Sequence, residues 1–255
     1  MIRAGIFGAV LLIASAAPAQ VIDENGVFAP KAVGGGGPTW AWKRGNGNYS
    51  SSTSLTVAVT IAGMQAGGDR VVICAFDTNS VNSGTAITIT DNNGTNTYTP
   101  ISSLLTGTAS NGNFYTMQMF LSSAFTTTGS RTFTVTFTGV GTTSVWKVAA
   151  VDEYSGLTAG DTSAGTQGNA AHSSAGGTDT ELTGTITPGN VNDLLYACLD
   201  DLSATSTPGT GFTGRQTAST GAVSEEKAVT SATSQTATFT NAAASYYLAI
   251  GAAIQ

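Results

Sequence analysis

Few residues in this chain could do chemistry. Its one histidine, His172, sits in NAAHSSAGGTD. A Ser-His-Asp relay could run only through it, and no G-x-S-x-G elbow accompanies it. His172 therefore reads as an exposed loop residue. Carboxylates occur as neighbours at Asp152/Glu153, Asp200/Asp201 and Glu225/Glu226. Adjacent strand residues point to opposite faces, so no carboxylate in such a pair faces the other. A glycoside hydrolase would need one acid from each of two strands. Glu153 is expected instead to accept backbone hydrogen bonds at a corner. A zinc centre needs three or four clustered ligands, and one histidine with two cysteines does not supply them.

Asp91, Asn93 and Thr95 alternate around Gly94, an oxygen-rich start that suits a structural calcium ion. The twelfth position from Asp91 is Ser102 rather than Glu, so this is no EF-hand. The competing reading is a hairpin turn at D-N-N-G, because Asn and Gly tolerate positive φ. Trp40 and Trp42 alternate, so both face one side of a strand. Exposed, they would make a sugar-stacking platform; facing inward, they would be part of an edge strand's core face. Trp146 lies in an apolar run and is expected to fill the core.

The elements that must position these residues are strands. DRVVICAFD (69–77) and DLLYACLDD (193–201) write one strand twice and carry the only two cysteines, Cys74 and Cys198. Val71, Ile73 and Ala75 match Leu195, Ala197 and Leu199 on one face. Val72, Cys74 and Phe76 match Tyr196 and Cys198 on the other. Both faces are apolar, as in a central strand, and the cysteines share a face. Two readings stay open: a disulfide, if the Cα atoms come within about 7 Å, or two buried thiols acting as small hydrophobes.

The repetition continues in order. SLTVAVT (54–60) pairs with ELTGTIT (181–187), TVTFT (134–138) with TATFT (236–240), and SVWKVAAVDE (144–153) with SYYLAIGAAI (245–254). This points to an internal duplication with half-repeats near 50–156 and 178–255. Turn clusters of Gly, Asn, Asp and Ser separate the strands, and helical periodicity is absent. The expected fold is all-β: an antiparallel two-sheet sandwich, jelly-roll-like, with strands of both halves mixed between the sheets. It would form one domain over 39–255.

Charged residues are only 9% of the chain, against about 25% in an ordinary soluble domain. Net charge is −6 and Lys plus Arg total 9. That excludes a basic surface for nucleic acid. The N-terminus MIRAGIFGAVLLIASAAPAQ has one positive charge, an apolar stretch and an A-x-A site at Ala17–Ala19, so residues 1–19 read as a signal peptide. No later segment is long enough to span a bilayer as a helix. Residues 20–38, with Gly34–Gly37, form a flexible extension. The expected location is extracellular or periplasmic.

AVDEYSGL (150–157), then TPGNVNDLLYA (187–197), then GFTGR (211–215) and TATFT, with DNNGTNTY (91–98) upstream, resembles a β-sandwich module of secreted bacterial proteins and phage structural proteins. The last motif is similar to its D-x-x-G-N-x-Y turn with one extra residue. The resemblance covers about 50–255 and implies a fold; its motifs are not catalytic ones. The expected function is a non-catalytic secreted module that binds a glycan or another cell-surface component. The alternative is a self-associating matrix or fibre subunit, because the strand edges lack Lys or Pro guards. A glycoside hydrolase is a third reading.

Overall fold

The computed structural model describes Val21–Ile22, Phe28–Ala29 and residues 37–51, 53–79, 82–108, 112–142, 146–160, 168–173, 179–201, 206–217, 223–241 and 246–255. Residues 1–20, with the expected signal peptide, most of the glycine run and the His172 side chain lie outside the described residues. Two units are distinguished. Met1–Gly37 contains β1 (Val21–Ile22) paired antiparallel with β2 (Phe28–Ala29). Pro38–Gln255 contains everything else.

The larger unit has no helix among the described residues, and none is long and apolar enough to cross a membrane. Its first half runs β3 (Ala41–Ser50), β4 (Thr56–Met64), β5 (Arg70–Asn79), β6 (Ala86–Asp91), β7 (Tyr98–Pro100), β8 (Leu105–Thr108), β9 (Phe114–Ser122), β10 (Gly129–Thr138) and β11 (Trp146–Ser155). The second half runs β12 (Gly168–Ser173), β13 (Asp179–Leu182), β14 (Leu194–Asp201), β15 (Ser206–Pro208), β16 (Thr213–Thr217), β17 (Val223–Ala228), β18 (Thr238–Asn241) and β19 (Tyr246–Ile254).

The antiparallel all-β sandwich is present, but the halves do not mix strands. The first half forms an outer sheet β4-β10-β6 and an inner sheet β3-β11-β5-β9-β7, with β8 also on β9. The second forms an inner sheet β12-β19-β14-β17-β16 and an outer sheet β13-β18-β15. The reason lies in the twin strands. A strand apolar on both faces must be covered on both, and in a two-layer sandwich each sheet is covered on one. Val71, Ile73 and Ala75 of β5 face a core closed by Val57, Val59, Phe133, Val135 and Phe137 of the outer sheet. Val72, Cys74 and Phe76 face the other half, in a cluster with Tyr196, Cys198, Leu248 and Ile250. In the second half Ala197 and Leu199 turn to Phe239 of its own outer sheet. The two inner sheets thus meet face to face, and the two strand orders match position for position.

A disulfide joins Cys74 of β5 to Cys198 of β14 across that meeting, with Cα atoms 6.6 Å apart. Of the two readings, the structure takes the bonded one.

One edge is guarded in a way the sequence did not announce. β3 and β4 are edge strands of adjoining sheets. Arg44 Nη1 donates to the Ala62 carbonyl at 3.1 Å, Asn46 Nδ2 to Thr60 at 2.9 Å and Asn48 Nδ2 to Ala58 at 2.7 Å. Alternate side chains of β3 thereby occupy alternate carbonyls of β4. Edge carbonyls are the template for pairing with a second chain. The double variant Asn46→Ala, Asn48→Ala should therefore associate more readily with concentration than the wild type, read by light scattering.

Candidate functional site

Where the inner sheets meet, the sequence places a polar network inside an apolar interface. Asp152 of β11 is fully buried and its carboxylate accepts four donors. Trp42 Nε1 (3.1 Å) and Gln216 Nε2 (2.6 Å) reach Oδ1; Tyr196 OH (2.7 Å) and Ser224 Oγ (3.1 Å) reach Oδ2. β3 passes this carboxylate at Gly45, where a Cβ would collide with Asp152 and Gln216. Two positions along β11, the Tyr154 hydroxyl donates to Glu226, which also pairs with Arg215. The Arg215 guanidinium lies 4.5 Å over the Trp42 ring. Burial drives the Asp152 pKa upward, and the hydrogen bonds from Tyr196, Gln216, Trp42 and Ser224 oppose it without cancelling it.

Asp152 and Glu226 are the carboxylates that come together from different strands. Asp152 accepts four protein donors, Glu226 accepts Tyr154 OH and pairs with Arg215, and the buried rings of Tyr154 and Tyr196 stand beside them. The arrangement holds two sheets in register. Trp40 and Trp42 belong to it: both are half-buried against the shared cluster, and Trp40 donates its indole N–H to the Asn192 carbonyl at 2.8 Å. They face inward, as the edge-strand reading has it, and leave no open indole pair.

The open pair is elsewhere. Trp146 is 46% exposed and Tyr49 41%, with ring centroids 5.8 Å apart and planes inclined by 32°. The expectation that Trp146 fills the core is overturned. Along β11, Trp146, Val148, Ala150 and Asp152 alternate onto the face that meets the second half, and Tyr49 stands opposite Val148 in register. Alternation gave the face correctly. Trp146 is the first residue of the strand, past the part of that face which the opposing sheet covers. Among the described residues the other exposed large apolar side chain is Val191.

The remaining candidates resolve into turn chemistry. Asp91 Oδ1 accepts the N–H groups of Asn93 (2.7 Å) and Gly94 (3.0 Å); Oδ2 accepts Asn96 Nδ2 (2.7 Å) and Tyr98 OH (2.5 Å). Arg131 lies 3.3 Å away. Burial works to raise its pKa, but those donors outweigh it and hold Asp91 below the ordinary carboxylate value. Asn93 Nδ2 donates to Thr127 Oγ1 at 3.2 Å, and Thr95 is exposed. A calcium ion here would have to displace the donors now on Asp91. Gly94 has φ +68°, as the turn requires. The turn is not a hairpin: β6 stays in the outer sheet and β7 joins the inner one, so it is a corner between layers. Among the described residues no three metal-ligating side chains cluster.

Glu153 faces away from Asp152, as strand alternation demands. It accepts Gln65 N–H at 2.9 Å, at the corner after β4, and pairs with Arg44 at 2.8 Å. Thr78 of β5 donates to Asp200 at 3.1 Å between the inner sheets. Glu225 is buried on the far face of β17, accepts Gly209 N–H at 2.8 Å, and is pushed up to about 8 by burial. An unfolded glutamate loses its proton near the ordinary value of 4.5. Between that value and about 8 the folded chain holds the extra proton, so rising pH removes stability over this window. Glu225→Gln should flatten that slope in denaturation curves taken across it.

The chain matches no known protein family, and comparison with curated proteins and with solved structures finds no match.

Proposed function

We propose that this chain is an exported, non-catalytic binding module that holds a glycan or another glycan-bearing cell-surface component against Tyr49 and Trp146. The observation that carries the reading is the exposed aromatic pair, its planes inclined by 32°, where among the described residues Val191 alone is also a large apolar side chain left exposed. Aromatic faces stack on the apolar faces of sugar rings, and rings fixed on adjacent strands need little ordering on binding. Export is supported by the A-x-A site at Ala17–Ala19. The matched strand orders support an ancestral duplication. The order β3-β11-β5-β9 facing β4-β10-β6 supports a jelly-roll reading of each half. The module resemblance in VDEYSGL and TPGNVNDLL supports the same picture.

Burial of Asp152 and Glu226, with protein donors on both, argues for holding a glycan rather than cleaving it. The side-chain ladder over β4 argues against assembly through that edge. The test is retention of the purified protein on insoluble cellulose, chitin, xylan and peptidoglycan, with calcium and with EDTA. Retention on at least one is expected. Loss in EDTA would give Asp91, Asn93 and Thr95 a calcium role. No retention on any of them, with size rising with concentration, would favour a matrix or fibre subunit.

A further inference from the structure

Lys147 of β11 and Asp77 of β5 stand directly opposite each other in register. Both side chains are fully buried, with Nζ 3.7 Å from Oδ1. They point into the core of the first sandwich: Lys147 shares its face with Ala149 and Val151, and Asp77 with Ile73 and Ala75. Among the described residues the Lys147 Nζ has no acceptor at hydrogen-bond distance. An ammonium has three donors and in such a place normally has them satisfied. A buried ammonium whose nearest carboxylate oxygen is 3.7 Å away is poorly compensated for its lost hydration.

We infer that Lys147 and Asp77 condense to an internal amide, a covalent cross-link between the two central strands of the first inner sheet. The ion pair and the reactive pair contain the same atoms and protons. Moving one proton from Nζ to the Asp77 carboxylate gives a neutral amine and a neutral acid, the forms a low-dielectric site favours. The amine nitrogen adds to the Asp77 carboxyl carbon. The C–N bond forms and the C–OH bond breaks. One amine proton stays on the amide nitrogen, and the other leaves with the hydroxyl as water. No oxidant, cofactor or external group enters the balance. Burial pushes the Lys147 ammonium below its usual pKa, against the charge and side-chain contact of Asp77, which is the direction a neutral amine needs.

The second half provides an internal contrast. The register that places Lys147 opposite Asp77 places Tyr247 opposite Asp201. Tyr247 carries no amine, so this register position supplies no second cross-link.

The test is the intact mass of the reduced wild-type protein, read against the N-terminus found by peptide mapping. The cross-link predicts a deficit of one water. It also predicts a branched tryptic peptide joining the segments around Asp77 and Lys147, with no cleavage after Lys147. In Asp77→Ala and Lys147→Met the deficit should vanish. A wild-type mass equal to the sequence mass, or a deficit mapped to other residues, overturns the inference without reference to whether either variant folds.

Discussion

Replacing both cysteines, Cys74→Ala with Cys198→Ala, should cost about 3–5 kcal/mol of stability in chemical denaturation, because the bond closes a very long loop. The two residues are 124 apart in sequence. Without the bond the unfolded chain regains the freedom of that whole segment, while the folded chain loses little apolar contact. The halves would still meet through Val72, Phe76, Leu248 and Ile250. Each also keeps a core of its own, around Phe133 and Val135 in the first and around Phe239 in the second. The variant should therefore fold and unfold at lower denaturant. Indistinguishable midpoints for the wild type and the double variant would show that the bond contributes nothing.

Asp152→Ala should cost a similar amount, roughly 3–5 kcal/mol, for a different reason. The carboxylate is the common acceptor of Trp42, Gln216, Tyr196 and Ser224. Its removal strands four donors in an interface that water reaches poorly. Asp152→Asn should fall between wild type and alanine. An amide keeps one acceptor oxygen; its NH2 either faces the N–H donors of Trp42 and Gln216 or requires the hydroxyls of Tyr196 and Ser224 to turn and accept. Tyr196→Phe removes one donor and leaves an acceptor with three, so its cost should be about 1 kcal/mol. An alanine variant as stable as wild type would mean that the network does not hold the sheets together.

What could be read beforehand follows from alternation. DRVVICAFD and DLLYACLDD assign each residue to a face, and those faces are the ones observed, down to the shared face of Cys74 and Cys198. The same pattern implied two covered faces per strand, and four layers are the consequence. Which strands would provide the cover was invisible, because it depends on pairings far apart in the chain. The tryptophans show the same limit. Alternation puts Trp42 and Trp146 on faces, but whether the opposing sheet reaches that far along is a property of the assembled pair. Tyr154 with Glu226 and Tyr196 with Asp152 are separated by 72 and 44 residues, and no local spacing predicts them. By contrast, D-N-N-G-T-N-T-Y is local. Asp91 binds Asn93, Gly94, Asn96 and Tyr98 within eight residues, and that spacing was legible as a turn. Its direction, from one layer to the other, was not.

The most direct measurement of the proposed function compares three proteins on the polysaccharide that retains the wild type: wild type, Trp146→Ala and Val191→Ser. Trp146 and Val191 are both exposed, and only Trp146 lies against Tyr49. The account predicts that Trp146→Ala loses binding by about tenfold or more, equivalent to about 1.4 kcal/mol, with its thermal unfolding unchanged and Val191→Ser binding like wild type. Equal retention of Trp146→Ala and wild type would contradict it and take the ligand away from the aromatic pair.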